Sequence, residues 1–156
     1  MRTTRTAVVL AAFALLALSS LPGSTLAAAP PKVVGGGSTT ITTLILIDGS
    51  TMPADLPTHL GFAAIGGPNS ASGQFQCLIN GPGFTGQFMN LHGDVTWLEV
   101  DGAIARFGGD SNFGPYSVVV TGGPEPTLSL RWTEPFGPGV VGTEEVLEHG
   151  SVHVSG

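Results

Sequence analysis

Hydrophobic and polar positions alternate with a period of two along most of this chain, the pattern of strands with one face in a core. In GQFQCLIN, Phe75, Cys77 and Ile79 fall on one face and Gln74, Gln76 and Asn80 on the other. In TLSLRW, Leu128, Leu130 and Trp132 oppose Thr127, Ser129 and Arg131. Further strand-like runs are a Gly-broken stretch in PPKVVGGGSTT, Ile41 to Ile47, THLGFAAIGG after a Pro53 to Pro57 loop, FTGQFMNLH, PYSVVVT and EEVLEHGSVHVS. Turn chemistry ends them, at Asp48-Gly49, at Asn80-Gly81-Pro82-Gly83, at Gly122-Gly123-Pro124 and at Pro135. No segment has a convincing helical period. Roughly eight or nine short strands at spacings of about 8 to 12 residues predict an all-β fold. The expected form is an antiparallel, mostly up-and-down small β-barrel or barrel-like sandwich of about 8 strands, an arrangement that removes exposed edges.

HGDVTWLEVDGAIARFGG, residues 92 to 109, is the clearest hairpin. Val95 to Val100 and Ala103 to Phe107 flank Asp101-Gly102, and Asp-Gly between β-prone runs signals a two-residue turn. That turn would pair Val100 with Ala103, Leu98 with Ala105 and Thr96 with Phe107 on an inward face. Trp97 would then stand across from Arg106 on the outward face, with Glu99 across from Ile104.

The N-terminus does not fit the strand pattern. Arg2 and Arg5 precede the apolar run Ala7 to Leu18, and small residues follow around Pro22 to Pro30. This is the layout of a secretory signal peptide, and the apolar run is shorter than the roughly 20 residues a spanning helix needs. Cleavage after Ala27 or Ala29 satisfies the small-residue rule. The expected organisation is a signal peptide over residues 1–29, a flexible lead-in and first strand over 30–38, and a single β domain over 39–156, secreted to the extracellular space. Loss of the leader would leave Lys32, Arg106 and Arg131 against eleven acids, moving the net charge from −6 to −8. Such a surface repels phosphate backbones, which argues against nucleic acid and anionic membrane as partners. Cys77 is the only cysteine, so no intramolecular disulfide can form; in its strand it reads as a small buried hydrophobe.

The segments GQFQC, LHGDVTWLEVDGAIARFGG, PYSVVVTGGPEPTLSLRW and EEVLEHGSVHV together resemble a group of small exported bacterial β-proteins without an assigned activity. The recurring pattern of that group is a G-x-F strand, a G-x-V-T-C-L-x-V-x-G-x-x-A hairpin and a late G-x-[IV]-x-[IVL] strand. Gly93, Val95, Thr96, Leu98, Val100, Gly102 and Ala105 fit the hairpin, while Trp97 stands where the group commonly has Cys. The resemblance spans most of residues 33–154. It implies a secreted β domain and brings no catalytic residues.

Candidate chemistry is sparse. His149 and His153 share a strand face but lie about 13 Å apart along it, too far for one metal bound at about 2 Å by each ring. A metal would need His59, His92 or an acid brought in by the fold, and no zinc motif is present. Neither a nucleophile elbow nor a phosphate loop occurs. Asp55, Asp94, Glu99 and Asp110 are the acids a glycosidase-like hydrolase could draw on. The leading expectation is a non-enzymatic binding module with no cofactor and no metal. Its exposed aromatics would make the contacts, with Trp97, Arg106 and Tyr116 as binding residues, to an extracellular protein, a polysaccharide or a small apolar ligand. The alternatives are a carrier whose interior, lined by Phe107, Leu130 and Trp132, holds an apolar ligand, and a secreted hydrolase.

Overall fold

A computed structural model describes residues 28–46, 48–81, 89–132, 140–142 and 144–156. The signal-peptide reading therefore lies outside the described residues except at its final two positions. Eleven strands account for most of the described chain: β1 (Lys32–Ile45), β2 (Thr51–Gly67), β3 (Ser70–Ile79), β4 (Met89–Asp94), β5 (Trp97–Asp101), β6 (Ile104–Ser111), β7 (Gly114–Thr121), β8 (Thr127–Trp132), β9 (Val140–Gly142), β10 (Glu145–Val146) and β11 (His149–Ser155). No helix occurs among the described residues, and all strand pairs are antiparallel.

The topology is a meander. β1 pairs with β2, β2 with β3, β3 with β4, β6 with β7 and β7 with β8. β4 and β5 form one run bent at Val95 and Thr96, where the chain changes neighbours. The Val95 amide still donates to the Gly73 carbonyl at 3.0 Å, while the Thr96 amide donates to Gly108 at 2.9 Å. The last three strands occupy the seam between β8 and β1. β9 pairs with both, β10 continues on β8 and β11 continues on β1. Side chains tie the seam further: the Thr39 hydroxyl donates to the Val146 carbonyl at 2.8 Å, and the Thr42 amide and hydroxyl both donate to Glu145. The result is the expected all-β, barrel-like sandwich.

Alternation decides which residues enter it. Phe75, Cys77 and Ile79, Leu128, Leu130 and Trp132, and Leu98, Ala105 and Phe107 all lie in one hydrophobic core. Four rings run through it: Phe62 and Phe107 at 5.2 Å between centroids, Phe107 and Phe75 at 6.1 Å, and Phe75 stacked on Tyr116 at 5.0 Å. Such pairs contribute about 0.5 to 1.5 kcal/mol each beyond the area they bury.

The first strand expected within residues 30–38 begins at Lys32 and continues to Ile45 as β1, with Lys32–Ser38 paired on both sides, with β2 and with β11. Two sequence expectations need correction. The Pro53 to Pro57 segment is not a loop but the start of β2. β3 joins β2 from Thr58, so among the described residues the stretch that holds the prolines is laddered with β1 alone, and the Pro57 carbonyl accepts from the Asn80 amide at 2.9 Å. In the hairpin the turn residues are Gly102 and Ala103, with Gly102 at φ 59°, and the pairs are Asp101 with Ile104, Glu99 with Arg106, Leu98 with Phe107 and Trp97 with Gly108. Leu98, Ala105 and Phe107 keep their inward face because the turn moved by one position and the pairing sum by two, while Thr96 and Ala103, expected on that face, are exposed.

Candidate functional site

A concavity lies beside the bend that separates β4 from β5. β4 and β6 share only the register pair Gly93 with Ser111. Gly93 and Gly109 lie at this crease, where the strands approach too closely for any side chain: a Cβ on Gly93 would strike the Asp110 carbonyl oxygen, and one on Gly109 the Asp94 carbonyl oxygen. Asn112, in the turn after β6, locks the crease. Its side-chain amide donates to the Asn90 carbonyl at 2.8 Å, and its oxygen accepts from the His92 amide at 2.9 Å.

Outside the crease lies a solvent-open groove of about 580 Å³ whose lining includes Gly61, Ala63, Gln74, Gln76, His92 and Asp94. That volume falls in the range of small-ligand sites. The β-ladder arranges its side chains in two adjacent rows, Ala63–Gln74–Asp94 and Gly61–Gln76–His92, across β2, β3 and β4. Asp110 completes the far wall. Gln74, Gln76, His92, Asp94 and Asp110 are all exposed, and among the described residues their side chains make no hydrogen bond. The floor is stiff because Phe62 and Phe75 lie beneath it in the chain of ring contacts, and because the Tyr116 hydroxyl donates to the Asp94 carbonyl at 3.2 Å.

The expected binding residues do not converge on one surface. Tyr116 is a correction: it is 4 % exposed, stacked inside the core. Burial, with the Asp94 charge adding to it, raises its phenol well above the ordinary range. Period two already groups Tyr116 with Val118 and Val120, both fully buried, so its inward direction follows from the strand itself. Trp97 and Arg106 do face outward, but diagonally rather than opposite, since Arg106 pairs with Glu99. Trp97 is half-buried over Gly108, where an added Cβ would come within 2.9 Å of its Cζ2.

The other candidates also find their places. Phe107, Leu130 and Trp132 are each 1 % exposed or less and belong to the core. Cys77 is fully buried, and that burial pushes its thiol up to about 12. The four histidines are exposed, and among the described residues no three metal-ligating side chains gather. Of the four acids, Asp94 and Asp110 meet at the groove, Glu99 lies on the hairpin and Asp55 on the edge segment of β2. Gln74 and Gln76 are the groove residues that sequence reading placed on an outer face without assigning them a role. Comparison of the chain with protein-family models, with curated proteins and with solved structures finds no match.

Proposed function

We propose that this chain is a secreted, non-enzymatic β domain that binds its ligand in the outer groove at the crease. One observation carries the reading: five exposed polar side chains, free of hydrogen bonds among the described residues, converge over a floor stiffened by core aromatics. The backbone that carries these side chains is held on strands backed by packed rings, so the ordering cost on binding is confined to the side chains themselves. The arginine-flanked apolar run at the N-terminus supports export. The dense apolar interior favours a binding surface outside the sheet over a ligand carried within it.

Amide chemical-shift mapping on the isotope-labelled exported chain tests the site. The probes are neutral oligosaccharides, acidic oligosaccharides and a tryptic peptide mixture, added in turn. The expected result is a set of shifts confined to Gly61, Ala63, Gln74, Gln76, His92, Asp94 and Asp110. Shifts centred on Trp97 and Arg106 would move the site to the hairpin, and no shift at the groove with any probe would remove the proposal.

A further inference from the structure

Resting on the groove as the binding site, we infer that its ligand is a neutral saccharide. The donor and acceptor inventory points to hydroxyl groups. Gln74 and Gln76 each offer a planar amide with donors on one side and an acceptor on the other, Asp94 and Asp110 offer acceptors, and the His92 ring offers one of each when neutral. A hydroxyl both donates and accepts, so a mixed array satisfies it, whereas phosphate needs donors alone and ammonium needs acceptors alone. Neighbouring strands are about 4.8 Å apart, so Gln74 beside Asp94 and Gln76 beside His92 form two short polar edges that can take adjacent hydroxyls of one ring.

Charge narrows the class. Among the described residues the groove lining holds two carboxylates and no Lys or Arg, so sulfated, phosphorylated and uronic-acid sugars meet repulsion without a compensating cation there. The floor fits as well. Gly61 and Ala63 leave a shallow, weakly polar surface on which the C–H face of a pyranose can lie, and nothing stands within 4 Å of where a Gly61 Cβ would be.

That open space supplies a blocking variant that does not disturb the fold. Gly61→Phe fills the groove from its floor, and Gln74→Ala with Gln76→Ala removes the amides while keeping the space. Titration calorimetry is run with neutral gluco-, manno-, galacto- and xylo-oligosaccharides and, in parallel, with oligogalacturonates and heparin fragments; urea midpoints verify folding. The expected result is binding of at least one neutral series, weakened at least about tenfold by either change, since one lost hydrogen bond is worth about that factor. Equal or tighter binding of the acidic sugars, neutral binding that survives Gly61→Phe, or no neutral binding would overturn the inference. Groove shifts produced by the peptide mixture, without any by sugars, would sink the saccharide and keep the groove; no groove shifts at all would sink both.

Discussion

Cys77 offers a test of the core that is independent of any ligand. Its thiol is fully buried on β3 and desolvation pushes it up to about 12, from an ordinary value of 9.0. At pH 8 an unburied thiol is about one part in ten ionised, and Cys77 about one part in ten thousand, so reaction with an aromatic disulfide reagent slows about a thousandfold before access is considered. The same shift links stability to pH. A group whose folded value is raised contributes fully below its unfolded value and loses that contribution as pH rises toward the folded one. Between pH 9 and pH 11 the loss amounts to roughly 2 kcal/mol, at 1.36 kcal/mol per unit, or about 1 M in urea midpoint for a domain of this size. Cys77→Ala, compared with the unchanged chain by urea denaturation across that window, is expected to flatten the slope even though the variant itself is less stable. Tyr116 moves stability in the same direction, but only from about pH 10, where an exposed tyrosine ionises. Stoichiometric labelling of native protein at pH 8 at the rate of the unfolded chain would refute the reasoning, and so would an unchanged pH slope in Cys77→Ala.

Three further outcomes follow from the packing. Phe107→Ala, at a fully buried ring that touches Phe62 and Phe75, is expected to lose about 3 to 5 kcal/mol in urea denaturation. Gly61→Val is expected to raise stability by about 0.5 to 1 kcal/mol, because the site is open and the unfolded chain loses freedom; a lower midpoint would show that the floor is not open. Asn112→Ala removes both side-chain hydrogen bonds across the crease, leaving the backbone bond from the Asn112 amide to the His92 carbonyl, and is expected to cost about 1 to 3 kcal/mol, with faster amide exchange at His92 as the local readout.

Much of the fold is legible in single strands, because burial with period two needs only local information. Phe75, Cys77 and Ile79 against Gln74 and Gln76 is such a case, and so is Leu128, Leu130 and Trp132 against Arg131. Where neighbours decide, the sequence is silent. Pro53 and Pro57 read as a loop until β3 is seen to begin its pairing only at Thr58. Asp-Gly is a strong turn signal, yet the turn sits one residue later, with Gly102 at positive φ in its first position and Leu98 opposite Phe107. Tyr116 has the chemistry of a binding-surface aromatic, while its own strand period puts it inside with Val118 and Val120. The groove is less legible still. Its rows exist only because β2, β3 and β4 are adjacent in a particular register, and its depth depends on a bend made by glycines that read as ordinary punctuation.

Because β9, β10 and β11 fill the seam, the sheet closes only when the end of the domain has been made. β1 is made first, but its second neighbour over Lys32–Ser38 is β11, more than a hundred residues later. β8 likewise finds its outer partners only in β9 and β10. A nascent chain shorter than this can form hairpins but leaves two long sheet edges unpaired, and such long-range closure is slow to nucleate. Native structure thus arrives late in synthesis, and cleavage next to β9, β10 or β11 is more damaging than their length suggests.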